Sequence, residues 1–166
     1  MSVNEKKVSP DLQLLSICIE AILETFNTQC GVTLAHGVPY KAGEKKGVAR
    51  DAVTVFGIRT REANVSIALM IPEDTYKQIL VRLFKDAAAA STEAAVEDGL
   101  REIVNIVFNR IKSRMNKHND SIHRAIPVFG MGKGMKIWYL TVGEVIVVPF
   151  YFENFFFDME VVLELN

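Results

Sequence analysis

Hydrophobic residues recur along the chain with two different periods, and these periods predict its helices and strands. A spacing of three and four residues predicts three helices, whereas strict alternation predicts strands. The predicted helices are Ser9 to about Gln29 with Pro10 at the first helical position, a segment opened by Pro72, and Thr92 to about Lys117. The predicted strands are Val32–Ala35, Ala52–Ile58, Val65–Ile71, about Ile122–Phe129, Lys136–Val142, Val145–Phe152 and Phe155–Leu165.

The order of these elements predicts an α+β fold with a mainly antiparallel β-sheet and helices packed on it. Two pairs of strands are separated by short polar turns, around Arg61 to Asn64 and at Glu153–Asn154, and both are predicted hairpins. Each half of the chain opens with a helix and closes with a hairpin. The sequence therefore predicts two pseudo-duplicated αββ halves.

The length of the chain predicts a single domain. Its 166 residues are enough to bury a core, and 49% hydrophobic with 23% charged residues is typical of a folded protein. We expect residues 10–166 to form that domain and residues 1–9 to be a frayed or disordered N-terminus. The segment from His36 to Arg50 contains several glycines and four basic residues, and it is predicted to be a mobile surface loop.

Charge and cysteine content narrow the class of protein. A net charge of −1 and a pI near 6.3 give no indication of a nucleic-acid partner. Charged residues interrupt every apolar run before it reaches membrane-spanning length. The segment MSVNEKKVS shows no apolar stretch with a cleavage site, so an export signal is not expected. Cys18 and Cys30 lie at opposite ends of one predicted helix, too far apart to form a disulfide. We therefore expect a cytoplasmic protein that binds neither nucleic acid nor membrane.

Several kinds of active site have no support in the sequence. His36, His118 and His123 do not have metal-ligand spacing with one another or with the cysteines, so a zinc site is not expected. No serine or cysteine lies in a nucleophile-elbow sequence. The glycine-rich segment from Gly130 to Gly134 precedes a predicted strand instead of a helix, which favours an inter-strand loop over a phosphate-binding loop.

The predicted long helix has an unusual polar side. One side of this helix is apolar, and the opposite side carries a row of polar residues: Asp98, Glu102, Asn105, Asn109, Lys112 and Asn116. Glu102 and Asn105 are three residues apart, so their side chains are neighbours. Asn inside a helix costs about 0.5 kcal/mol relative to Ala. From the residues alone, a solvated helix face and a binding site both remain open.

The sequence Asp98-x3-Glu102-x2-Asn105, followed by Pro127 near the next strand, resembles the motif of the CheC/CheX/FliY family of chemotaxis phosphatases. The order of elements is similar over about residues 10–165, including Val145 to Phe150 leading into a final amphipathic strand. A single motif in a chain of this length resembles CheX more than CheC. The resemblance implies a CheC-like domain.

Two features bear on this resemblance. The family has a glycine four residues after the motif asparagine, and this chain has Asn109 there. The first helix contains Glu24-x2-Asn27, but it lacks the leading Asp or Ser and the later proline. We interpret that second pair as a degenerate copy of the motif or a chance match.

The resemblance implies a phosphatase that accelerates hydrolysis of the aspartyl phosphate of a CheY-like response regulator. Asn105 would orient the attacking water and Glu102 would pair with the regulator's active-site lysine. Asp98 and Asn109 would contribute to docking of the regulator. The resemblance implies no cofactor in this chain, a divalent metal on the regulator, and a homodimer.

A second interpretation is a non-catalytic binding or scaffold module of the same fold, which recognises a response regulator or a flagellar switch component. The asparagine at position 109 is the feature that favours it. A small-ligand sensor has no positive feature in the sequence.

Overall fold

The computed structural model describes residues 10–61, 63–116, 123–124, 127–139 and 141–166. The predicted N-terminal segment 1–9 and the cap at Ser9 lie outside these residues. The described helices are α1 (Pro10–Cys30), α2 (Glu73–Phe84) and α3 (Glu93–Asn116). The described strands are β1 (Ala35–His36), β2 (Tyr40–Lys41), β3 (Ala52–Arg59), β4 (Ala63–Ile71), β5 (His123–Arg124), β6 (Val128–Met131), β7 (Val145–Phe152) and β8 (Phe155–Leu165).

Local sequence signals account for the helix ends. α2 carries Glu73 and Asp74 in its first turn, where acids favour the positive end of the helix dipole, and it ends at Lys85 in the left-handed conformation with φ 52°. Thr92 caps α3, because its Oγ1 accepts a hydrogen bond of 3.1 Å from the backbone N–H of Ala95. The predicted three helices are confirmed.

The eight described strands form one antiparallel sheet with β4 and β8 at its centre. The strand order is β1-β7-β8-β4-β3-β5, with β2 also beside β7 and β6 also beside β3. The hairpins β3–β4 and β7–β8 match the predicted ones, and Phe152 pairs with Phe155 across the Glu153–Asn154 turn. The predicted α+β class and mainly antiparallel sheet are confirmed.

The two halves of the chain are related by the pairing of β4 with β8, in which Ile67 lies opposite Val161. Each half contains a long helix, short strands and a hairpin. The short strands β1 and β2 pair with β7, and β5 and β6 pair with β3. The short strands of each half therefore extend the sheet beside the hairpin of the other half. This exchange agrees with the predicted pseudo-duplication, with α2 as the helix between the halves.

The main core lies between the sheet and the three helices. Phe157 of β8 stacks on Phe26 of α1 and on Phe150 of β7, with ring centroids 5.1 and 5.2 Å apart. Phe108 of α3 meets Phe56 of β3 edge-to-face at 6.2 Å. These rings attach both long helices to the inner face of the sheet.

The predicted strand Lys136–Val142 is wrong: no strand is found at residues 136–139 or 141–142, and residue 140 lies outside the described residues. The segment instead lies across the outer face of the sheet, where Met135, Ile137 and Tyr139 pack against Val53, Ala68 and Met70. Alternation of apolar and polar residues predicts one buried side, and an extended segment lying on a sheet needs the same alternation as a strand within it.

The segment from His36 to Arg50 is more ordered than a mobile loop, because it contains β2 and is bonded to β8. Asp158 accepts a hydrogen bond of 3.1 Å from the backbone N–H of Val48, and Arg50 forms an ion pair with Glu160 at 2.7 Å. Both acids of β8 are buried as a result. Val48 and Arg50 lie 110 residues from these acids in sequence, a separation that no local pattern bridges. Glu160 also accepts a hydrogen bond of 2.6 Å from the hydroxyl of Tyr139.

Two other predicted strands have different bounds in the structure. The first strand is confined to Ala35–His36, so residues 32–34 do not belong to it. Strands are observed at His123–Arg124 and Val128–Met131, while residues 122, 125 and 126 of the predicted strand lie outside the described residues. The loop predicted from Gly130 to Gly134 is shorter in the structure, because Gly130 and Met131 belong to β6. The turn that follows contains Gly134 with φ 61° and leads to no helix.

Candidate functional site

The motif residues occupy one outer side of α3. Asp98, Glu102 and Asn109 are exposed and Asn105 is half-buried. The opposite side of the helix is buried against the sheet and the other helices through Val96, Leu100, Ile103, Val104, Val107, Ile111 and Met115. The amphipathic prediction for this helix is therefore confirmed, and its polar stripe faces outward.

A carboxylate and a carboxamide stand side by side at the centre of this stripe. Glu102 and Asn105 are one turn apart on α3. The nearby Arg101 forms an ion pair with Glu97, and its Nε donates a hydrogen bond of 3.0 Å to Glu97 Oε1. Glu102 forms no ion pair with any residue that the structure describes. Its charge is therefore available to a cation from outside the chain.

Helix α2 approaches the stripe closely at Gly99, next to Asp98. A Cβ at this position would lie 2.9 Å from Phe84 Cε2 and would overlap Leu80 Cδ2. Only a glycine permits this contact between α2 and α3 without displacement of a side chain. Gly99 thus determines how close α3 lies to α2 at the N-terminal end of the stripe.

Helix α1 is bonded to the other end of α3 by four charged residues. Arg110 and Arg114 each contact one oxygen of the Glu24 carboxylate. Arg114 also bonds Glu20 at 2.8 Å, and Arg110 donates to Thr28 Oγ1 at 2.8 Å. The hydrogen bond from Arg114, together with that from Arg110, holds the pKa of Glu24 below its usual range.

The second motif-like pair, Glu24 and Asn27, therefore differs in environment from the pair on α3. Glu24 is occupied by two arginines of the same chain, whereas Asn27 is exposed. The charge of this carboxylate is already compensated by two arginines within the chain, whereas that of Glu102 is not compensated by any residue that the structure describes. The structure thus gives Glu24 a contact between helices, in agreement with its interpretation as a degenerate copy or a chance match.

Among the residues that the structure describes, the cysteines and the groups able to bind a metal form no second reactive centre. Burial raises the pKa of Cys18 to about 12 and that of Cys30 to about 11, so neither is a thiolate at neutral pH. Within the described ranges, no three His, Cys, Asp or Glu side chains are placed to hold a metal ion. No helix in the described part of the chain combines the length and apolar character that crossing a bilayer requires.

Comparison with known protein families assigns the chain. A family model described as chemotaxis phosphatase CheX matches residues 53–151, more than half of the chain, including all of α3 and Pro127. The chain belongs to the chemotaxis phosphatase CheX family. The resemblance first found in the motif is confirmed, as is the assignment to a family of phosphatases. A comparison with curated proteins finds no match.

Solved structures of CheX-like proteins have the same fold. A chemotaxis protein CheX from Vibrio vulnificus is 19% identical, with 92% of this chain and 99% of that chain covered and a TM-score of 0.81. A CheX–CheY–BeF3–Mg2+ complex from Borrelia burgdorferi is 17% identical, with 91% and 97% covered and a TM-score of 0.75. FliM in a FliM–SpeE complex from Helicobacter pylori is 10% identical, with 97% and 89% covered and a TM-score of 0.63. At these identities the likeness shows the fold alone.

The structure places Asp98, Glu102, Asn105 and Asn109 on one side of α3, and sequence reasoning missed the residues that hold this helix. Gly99 gave a usable signal, because an isolated glycine inside a helical pattern often has a packing reason. Arg110 and Arg114 gave none, since their partners are 82 or more residues away on α1. The roles of Glu102, Asn105, Asp98 and Asn109 stay predictions.

Proposed function

We propose that the stripe on α3 carries the phosphatase activity of this chain towards the aspartyl phosphate of a CheY-like response regulator. The observation that supports it most is the exposure of Glu102 beside Asn105 at the centre of the stripe in a member of this family. In the related structure from Borrelia burgdorferi, CheX is in complex with CheY, BeF3 and Mg2+. A protein substrate also agrees with the open, convex shape of a helix face, since small-molecule sites are concave.

Asn105 is the water-orienting group in this proposal. An acyl phosphate is already labile, so positioning a water in line with phosphorus supplies much of the acceleration. A carboxamide suits this task because its oxygen accepts a hydrogen bond from the water while its NH2 donates to a second group. As a neutral group it does not repel the phosphoryl oxygens.

Glu102 is the anchor. It pairs with the active-site lysine of the regulator and fixes the register of α3 in that site. An ion pair that loses water on docking contributes more than an exposed pair, which contributes about 0–1 kcal/mol. Asp98 and Asn109 flank the central pair and contact the surface of the regulator. The divalent metal belongs to the regulator, and this chain supplies no metal ligand or cofactor.

The acceleration is tested with a regulator that has been phosphorylated and freed of phosphodonor. Purified protein is added in catalytic amounts and release of inorganic phosphate is followed against regulator alone. The proposal requires multiple turnovers per molecule of added protein. An unchanged phosphate lifetime, with the protein folded and in excess, contradicts it.

The alternative is a non-catalytic module that binds a regulator or a flagellar switch component. Its support is Asn109 at the position of the family glycine, together with the same fold in FliM. Titration of the phosphorylated and unphosphorylated regulator, run beside the hydrolysis assay, separates the two. Tight binding without acceleration favours the module.

We also propose that the protein acts as a homodimer in the cytoplasm. Trp138 is 88% exposed on the outer side of the sheet, and Val128 and Val142 are 68% and 76% exposed. Large exposed apolar side chains such as these are typical of interaction surfaces. Light scattering should give twice the monomer mass, with Trp138→Glu shifting it towards the monomer. The two free, buried thiols suit a reducing compartment.

A further inference from the structure

Glu24 lies outside the phosphatase motif of α3, yet two turns of α3 are bonded to it. Arg110 contacts one of its carboxylate oxygens and Arg114 contacts the other. The same arginines extend the contact to Thr28 and Glu20, each at 2.8 Å. One carboxylate thus forms the centre of a network that joins three turns of α1 to two turns of α3.

The order of these bonds shows how the network restrains the helices. Moving along α1 from Glu20 to Thr28, the partners on α3 run backwards from Arg114 to Arg110, so the helices are antiparallel. The bonded residues are four apart on each helix: Glu20, Glu24 and Thr28 on α1, and Arg110 and Arg114 on α3. A slide of either helix by one residue, about 1.5 Å, would move each arginine away from one of its two partners on α1.

The charged network adds a directional restraint to the apolar packing of α1. The buried side of α1 carries Leu14, Cys18, Ala21, Ile22, Thr25 and Phe26. Hydrophobic contact is non-directional, whereas arginine–carboxylate bonds have a specific geometry. The charged network therefore contributes a specific restraint on the axial and rotational register of α1 and α3.

This register matters for a helix that acts on another protein. The stripe from Asp98 to Asn109 is about 17 Å long and about 10 Å wide, far smaller than the roughly 800 Å2 per partner of a standard interface. A docked regulator must also rest on neighbouring surface, and the exposed side of α1 with Asn27 borders the Arg110 end of α3. The depth at which Asn105 enters the regulator then depends on where α3 lies relative to α1.

We propose that Glu24 is a positioning residue of the phosphatase: held by Arg110 and Arg114, it sets the place of α3 from which Asn105 reaches the regulator. This inference rests on the proposed function. Glu24 touches neither the substrate nor the water. It acts through α3, on which Arg110 lies about 7.5 Å from Asn105 along the helix axis.

The test compares Glu24→Gln with Glu73→Gln. Glu73 is a matched control because it also pairs with two cations, Lys77 and Lys133, and its side chain is 41% exposed against 43% for Glu24, but it lies on α2. In Glu24→Gln we expect kcat to fall about threefold to tenfold with KM within about twofold, because small misplacements of a reacting group are costly. Glu73→Gln should retain both constants, and Glu24→Asp should recover part of kcat.

Hydrogen–deuterium exchange gives a second measurement that does not depend on activity. Glu24→Gln should exchange faster at residues 106–116 of α3, and Glu73→Gln should not. Equal kcat in the two variants, or unchanged exchange in α3, overturns the positioning role. If wild-type protein fails to accelerate hydrolysis, the proposed function fails, and the exchange comparison still decides whether Glu24 restrains α3.

Discussion

The backbone of Gly99 lies directly against the side chain of Leu80, and this contact brings α2 up to the phosphatase stripe. A Cβ at position 99 would overlap Leu80 Cδ2 and would lie 2.9 Å from Phe84 Cε2. Gly99 immediately follows Asp98 in the chain. The packing of two helices therefore depends on the absence of one methyl group within the motif segment.

Gly99→Ala should destabilise the protein by about 1–3 kcal/mol, since an added methyl group overpacks this contact. Urea unfolding measures the change in the free energy of unfolding. Leu80→Ala leaves room for the methyl group, so the double variant should lose less than the sum of the two single variants. Stabilisation by about 1 kcal/mol, the usual gain of Ala over Gly in a helix, would show that the helices do not touch here.

The raised pKa of Asp158 makes the free energy of unfolding depend on pH. Burial, followed by the charge of Glu160, raises the pKa of the Asp158 carboxyl above its usual range, although the Val48 N–H bond opposes this. A raised pKa in the folded state means that the folded protein holds this proton more tightly than the unfolded chain. Ionised Asp158 therefore lowers stability as pH rises from about 3.9 through the raised pKa.

Asp158→Asn removes this titration and can still accept the hydrogen bond from Val48. The free energy of unfolding of the variant relative to wild type should increase as pH rises from about 3.9 through the raised pKa of Asp158, and should be constant at higher pH. Urea unfolding at a series of pH values measures it. A difference independent of pH would show that Asp158 titrates normally in the folded protein.

Glu102→Gln should weaken docking more than chemistry. Loss of one charge-assisted contact should raise KM for the phosphorylated regulator about tenfold at low salt, equivalent to ~1.4 kcal/mol. Added salt should reduce the difference, because it screens the wild-type pair. Glu93→Gln, another exposed carboxylate of α3, is the control and should leave KM unchanged. A fall in kcat with constant KM would assign Glu102 a part in the chemistry.

Asn109→Ala tests whether Asn109 has the same role in activity as Asn105. Alanine stabilises an exposed helix position by about 0.5 kcal/mol relative to asparagine. The substitution removes the docking contact of Asn109 but also removes bulk where the family has glycine, so these effects oppose each other and we expect kcat/KM within about threefold of the wild-type value. A loss as large as that of Asn105→Ala would assign the water-orienting role to Asn109 or to both residues jointly.

The fold was largely predictable wherever alternation and a short turn occur together. The β7–β8 hairpin has both, and its predicted bounds are confirmed. The Lys136–Val142 segment has alternation without pairing, because its apolar residues cover the outer face of the sheet. Periodicity reports which side of a segment is buried and not what buries it.

The site was predictable as far as its local pattern extends. The spacing of Asp98, Glu102 and Asn105 depends only on the pitch of one helix, and the structure places all three on one side. The network between Glu24 and Arg110 depends on how two distant helices pack. Such a contact is set by the tertiary structure, and the charges alone do not indicate their partners.

The most direct test of the mechanism is the release of phosphate from a phosphorylated regulator by Asn105→Ala, beside wild type and Asn154→Ala. Asn154 is the control, since it is an exposed asparagine in the turn between β7 and β8, outside both α1 and α3. We expect Asn105→Ala to reduce kcat/KM at least about 100-fold, because the attacking water loses its orientation, while urea unfolding stays close to wild type. Asn154→Ala should match wild type. Wild-type kcat/KM in a folded Asn105→Ala variant would contradict the water-orienting role of Asn105.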